Sequence, residues 1–130
     1  MIPEIVAHLK ADTALMALLS SSCAVGPDVA RRDIAAPYMV YRLQSDAGRN
    51  RGNVAREAAV GFSIYAATFA QADQIVKRMD ALLDKDEDHG IAPISSRIHS
   101  VWRTGGSSTF EVDTKLYHRA LVFAVIYTEA

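Results

Sequence analysis

The sequence predicts an α+β domain: a mostly antiparallel sheet of four to five strands with two helices packed on one face, in the order α, short β, β, β, α, β, β. Three observations predict it. Segments 3–19 and 68–85 repeat apolar residues at three- and four-residue steps, the period of a helix with one buried face. Segments around Tyr38, Val60, Trp102 and Phe123 are rich in β-branched and aromatic residues and read as strands. These strands come as two consecutive pairs that can close as hairpins, which favours antiparallel pairing.

In the first helix, Ile5, Val6 and Leu9, then Leu15, Met16, Leu18 and Leu19, form the apolar stripe. Pro3 suits the first turn, where a missing N–H costs nothing. Asp12 is also placed to cap a second short helix, which would break the first near Ala11. The polar run Ser20–Cys23 ends the element, and residues 24–37 read as a short strand or loop with turns at Gly26–Pro27 and before Pro37.

"PYMVYRLQS", residues 37–45, is the first clear strand, with Tyr38, Val40 and Arg42 on one face and Met39, Tyr41 and Leu43 on the other. A polar loop, 46–57, follows. "EAAVGFSIYAA", residues 57–67, sets Val60, Phe62 and Ile64 against the smaller Ala59, Gly61 and Ser63, so one face belongs to the core and the other to something flat. In helix 68–85, Thr68 and Gln71 match a capping box. Phe69, Ala72, Val76, Met79 and Leu83 form the stripe expected to bury against the sheet, flanked by Ile75 and Leu82, and Gly90 and Pro93 follow the helix. Two further strands, 95–104 and 115–129, are joined across "GGSSTFEVDT". The last is apolar on both faces, which predicts a central strand or an edge buried by a partner.

At 130 residues with half of them hydrophobic, the chain suits one domain, 1–130, with its own core. A net charge of -1 excludes a global attraction to nucleic acid or membrane. Cys23 is the one cysteine, so no intrachain disulfide forms and a reducing compartment is the simpler reading. The start, "MIPEIVAHLKAD", lacks the basic opening and apolar run of a signal peptide. No apolar run approaches the ~18 residues that span a bilayer, so the expectation is a soluble protein made in the cytoplasm.

No motif marks a catalytic, cofactor or metal site. His8, His89, His99 and His118 are scattered without zinc-ligand spacing, although His99 and His118 are candidates for neighbours across two strands. "SSSC" lacks a nucleophile elbow. "TGGSST" is a hairpin turn with no lysine for a phosphate loop. "DKDEDHG" lacks the frame of a calcium loop and reads as a solvated helix end. Its acids oppose the helix dipole, so a nearby cation would relieve them.

Charge placement is more informative. The loop carries Arg49, Arg51 and Arg56 with no acid between Ala47 and Arg56, an excess of +3. Asp84, Asp86, Glu87 and Asp88 with Lys85 give -3. The loop has no aromatic interleaved for base stacking, which disfavours nucleic acid. Its glycines and asparagines predict mobility in the free chain and ordering on a partner. Arg49, Arg51 and Arg56 of one subunit facing Asp84, Asp86, Glu87 and Asp88 of the next is the candidate interface. Apolar sheet surface around Tyr38, Tyr65 and Tyr127 is expected to supply affinity.

In order and texture the chain resembles the phage tail-completion or tail-terminator proteins of long-tailed phages and prophages. The resemblance runs through "IPEIVAHLKAD", "PYMVYRLQS", the polar loop, "VGFSIYAATFAQADQIVKRMDALLD" and "FEVDTKLYHRALVFAVIYTE", with Phe110, Glu111, Asp113 and Arg119 before the long strand. It implies a structural protein, not an enzyme, with no cofactor. It implies a ring, six-membered in the family, on the head-proximal end of the tail tube that stops tube polymerisation and offers the head-joining surface. Implied partners are further copies, the tail tube protein and a head–tail connector protein; the residues themselves give no membrane-spanning run and disfavour nucleic acid as a partner. The implied place is the host cytoplasm during assembly, then the virion tail. Three other readings stay open on the residues alone: another small head–tail connector, a small α+β ligand-binding or enzymatic domain using His99, His118 and Arg119 at a sheet surface, or a nucleic-acid-binding accessory protein using the basic loop.

Overall fold

The computed structural model describes residues 2–19, 25–27, 36–48, 55–83, 98–112 and 115–128. The elements are α1 (Ile2–Lys10), α2 (Thr13–Leu18), β1 (Val25–Pro27), β2 (Tyr38–Gly48), β3 (Ala55–Ala66), α3 (Phe69–Leu83), β4 (Ile98–Glu111) and β5 (Leu116–Thr128). They build one five-stranded sheet in the order β1-β2-β3-β5-β4. β1 is parallel to β2, and every other neighbour is antiparallel. The α+β class and the mostly antiparallel sheet are as the sequence predicts.

The predicted first helix is two helices, and Asp12 is the reason. Its backbone is extended and its carboxylate accepts the Leu15 N–H at 2.8 Å, which breaks the helix there and starts α2. Arg78 of α3 donates to the same carboxylate, from Nε at 2.8 Å and Nη2 at 2.6 Å, and ties the break to the longest helix. This paired contact holds the Asp12 carboxyl down to about 2. His8 of α1 reaches the Leu82 carbonyl at 3.2 Å, so its Nε2 donates to one of the unpaired carbonyls at the end of α3.

The strands are longer than their composition predicts. β2 runs on to Gly48 and β3 begins at Ala55, so Asp46–Gly48 and Ala55–Glu57, assigned above to the loop, belong to the ladder. β4 likewise continues through the glycine and serine run to Glu111. All twelve residues of β3 pair with β5, which sits between β3 and β4. This is the central-strand option for the last segment, and its length draws weak strand formers into register. The register shifts between Leu43 and Ser45, between Ile98 and Ser100, and between Arg103 and Gly105.

One face of the sheet carries the helices. α3 supplies Ala72, Ile75, Val76, Met79, Leu82 and Leu83, and the strands supply Met39, Val60, Phe62, Ile64, Val101, Leu121, Phe123 and Val125, all buried. Phe62 and Phe123 meet edge to face at 5.9 Å. α1 and α2 add Ile5, Leu9 and Leu15. Phe69 departs from the predicted stripe. It is 51% exposed, because the first residue of α3 stands beyond the end of the core, against Tyr117.

Residues standing abreast define two ends of the sheet. Tyr38, Tyr65, His118 and Thr109 mark one, the aromatic end. Gly48, Arg56, Tyr127 and Ile98 mark the other, the hairpin end. α3 runs from the first towards the second while leaning towards β4: Phe69 meets Tyr117, Asp73 meets Arg119, and Asp80 meets Arg103.

Candidate interaction surfaces

At the hairpin end, Asp46 organises the β2–β3 arm. Arg56 donates from Nε to Asp46 Oδ1 at 3.1 Å, and Tyr127 donates its hydroxyl to Asp46 Oδ2 at 2.6 Å. Burial, with the Asp46 contact next, pushes the Tyr127 hydroxyl above its usual range. Arg56 is therefore engaged within its own chain. Arg49, Arg51, Asp84, Asp86, Glu87 and Asp88, and with them the expected mobility of the loop, lie outside the described residues.

No described helix covers the second face of the sheet. It presents small side chains, Ala59, Gly61, Ser63, Ala120 and Ala124, between Val40, Val122 and Trp102. Tyr38, Tyr65 and His118 stack across three strands, with centroids 5.0 and 4.6 Å apart. Burial raises the hydroxyl pKa of Tyr38 and Tyr65. Beside the stack lies a shallow groove of about 370 Å³, floored by Gly61, Ser63 and Ala120 and bounded by Arg42 and Gln44. Tyr127 is not part of this surface; the register places it on the helix-bearing face, where it is 5% exposed, a correction to the expected tyrosine cluster.

The histidine–arginine set of the enzymatic reading does not converge. His118 is in the stack at the aromatic end. His99 bonds Thr128 at the hairpin end. Arg119 is on the opposite face, 3.5 Å from Asp73 and with its guanidinium 5.7 Å from the Phe69 ring centre. Among the described residues, no cluster of His, Cys, Asp and Glu could hold a metal ion, and no helix is long and apolar enough to cross a membrane.

The aromatic end carries a surface that the sequence reading missed. Phe69, Phe110 and Val112 are 51%, 50% and 77% exposed, and Phe110 and Phe69 both contact Tyr117. The signal was present in "STFEV", where two large apolar residues follow a polar run, but their place beyond the core depends on where α3 starts.

Comparison with known proteins places this architecture in a class. The family model described as tail completion protein gp17 matches residues 3–128. The chain belongs to that family, and so to the structural proteins of phage tails. A chain of the solved structure titled "Virion of native gene transfer agent (GTA) particle" superposes with a TM-score of 0.69 at 19% identity, over 96% of this chain and 92% of that one. At that identity the likeness concerns the fold. No curated protein matches the chain.

Proposed function

We propose that this protein forms a ring on the head-proximal end of the tail tube, ends tube polymerisation and presents the surface that joins the head. Family membership over residues 3–128 carries the reading. The differing ends of the sheet suit it: a part placed between tube and head needs two unlike surfaces, and this domain has an aromatic end and a charged hairpin end.

A closed ring uses a heterologous interface, in which two different patches meet. The basic segment is flanked by Gly48, the end of β2, and Ala55, the start of β3. The acidic run follows Leu83, where α3 has leaned to the β4 side and Asp80 bonds Arg103 at 2.8 Å. Gly48 ends β2 whereas α3 leans to β4, so the two flanks stand towards opposite edges. In this reading the β4 edge of one subunit faces the β2 edge of the next. Arg49 and Arg51 then meet Asp84, Asp86, Glu87 and Asp88 of the neighbour, with Arg56, already held by Asp46, at the base of the arm. Such rim charges steer and register a contact more than they strengthen it.

The test is electron microscopy of tails assembled with and without this protein. The expected result is tails of one length with added density at the head-proximal end when it is present, and overlong tubes without heads when it is absent. Tails of normal length bearing heads in its absence would overturn the reading.

A further inference from the structure

We propose that neighbouring copies join edge to edge in one continuous sheet. The outer edge of β2 over Arg42–Gly48 in one copy adds antiparallel to the outer edge of β4 over Thr104–Phe110 in the next, and Leu43 of the first seats against Phe110 of the second. The inference rests on the ring reading above and names the contact that closes it.

Both edges are open among the described residues. The described part of β1 covers β2 at Met39–Tyr41, and no described strand lies beside the backbone of Arg42–Gly48 on that side. β4 ends the sheet and pairs only with β5. An open edge is a template for another strand, and folded proteins commonly blunt one with charge or proline. Thr104–Phe110 contains neither.

The side chains at the two edges match. Leu43 is 43% exposed and stands abreast of buried Val60, so it is on the helix-bearing face. Phe110 stands abreast of Tyr117 and, through it, of buried Ala66, on the same face. Each open edge thus carries one large unburied apolar group, and the two face the same way. Strand addition turns them into a cross-strand pair. Phe69, which also packs on Tyr117, flanks that pair.

Direction and offset also agree. In a ring made by rotation alone, every copy points the same way along the axis. β2 runs towards the hairpin end and β4 away from it, so β2 of one copy meets β4 of the next antiparallel, as in the rest of the sheet. The open stretches are displaced: Arg42 stands abreast of Gly105, whereas Phe110 stands abreast of Ala66. Neighbours therefore meet staggered along the strands, and a sheet that closes on itself requires stagger and tilt.

The test is disulfide trapping in the full chain, in a Cys23→Ser background. Leu43→Cys and Phe110→Cys are made separately and mixed during tail assembly, then oxidised. Within one chain the two sites are separated by β3 and β5, about 14 Å across the strands, which excludes a bond inside a copy. The expected result is a linked dimer in the mixture at least tenfold above either single variant, and a ladder of linked oligomers when one chain carries both substitutions. A second arm needs no substitution: amide exchange at 42–48 and 104–110 should slow on assembly. Tails that hold the protein yet give no mixed link, with exchange unchanged in both stretches, overturn the edge pairing and leave the ring reading standing. Tails on which the unsubstituted protein never appears overturn both.

Discussion

Arg78 grips the Asp12 carboxylate with two hydrogen bonds, at 2.8 and 2.6 Å, across 66 residues of sequence. One side chain thereby caps α2 and fastens the α1–α2 pair to α3. Asp12→Ala should cost about 2 kcal/mol, the sum of a lost cap and a lost charge-assisted contact. The sign of the pH effect follows from the direction of the shift. The folded carboxyl titrates at about 2, below its ordinary 3.8, so its stabilisation is complete above pH ~4 and is lost as pH falls through 2. Asp12→Asn retains a good cap and loses the titration. Its unfolding free energy, followed by circular dichroism in urea between pH 2 and 4, should change less with pH than that of the parent.

Met79 and Phe69 lie on one helix but in opposite environments, at 0% and 51% exposure. Met79→Asp should unfold the domain, because an unpaired buried charge costs several kcal/mol against a total stability of about 5–15 kcal/mol. Phe69→Ala should cost less than about 1 kcal/mol, whereas Phe62→Ala should cost about 3–5 kcal/mol. Thermal melts of the three variants check the assignment of α3's buried face; equal losses for the two phenylalanines would contradict it.

The Tyr127 hydroxyl has one partner role that phenylalanine cannot fill. Tyr127→Phe should cost about 1 kcal/mol through the lost bond to Asp46. Tyr38, Tyr65 and Tyr127 all hold their protons more tightly folded than unfolded. Their stabilisation is therefore complete below pH 10 and declines as pH rises through the folded values. Alkaline denaturation should be shallower for Tyr127→Phe than for the parent, read by far-ultraviolet circular dichroism from pH 9 upward.

Charge reversal tests the proposed rim contact. Arg49→Glu with Arg51→Glu should leave the melting temperature unchanged and block tail completion. Adding Asp86→Lys and Glu87→Lys to the same chain should restore part of it. Infectious particles with tails of normal length from the loop reversal alone would redirect the loop to solvent, tube or connector.

How much of this was legible in the sequence depended on whether a signal was local. The Thr68 cap is local, and its hydroxyl does accept the Gln71 N–H at 3.2 Å. The alternation of Val60, Phe62 and Ile64 is local, and all three are buried. Asp12 was legible as a cap, but its second partner, Arg78, was not, since nothing in a sequence connects residues 66 apart. The lengths of β2 and β4 were underestimated for the same reason. Gly105, Gly106 and Ser107 are poor strand formers alone and are strand here because β5 pairs with them. Tyr127 was assigned to the wrong surface because periodicity separates the faces of a strand without saying which one the helices cover. Of the candidate interface residues, Arg56 alone is described, and its bond to Asp46 could not be anticipated without the hairpin register.

The unbroken pairing of β3 with β5 has a mechanical consequence. Hydrogen bonds in an antiparallel ladder lie across the strands. A tension applied along the strands therefore loads the β3–β5 ladder in shear, and its twelve residue pairs, Ala55↔Thr128 to Ala66↔Tyr117, resist together. A tension applied across the sheet instead peels the same ladder pair by pair from one end. The domain is accordingly an anisotropic joint, stiff to a pull between its aromatic and hairpin ends and compliant to one that parts its edges.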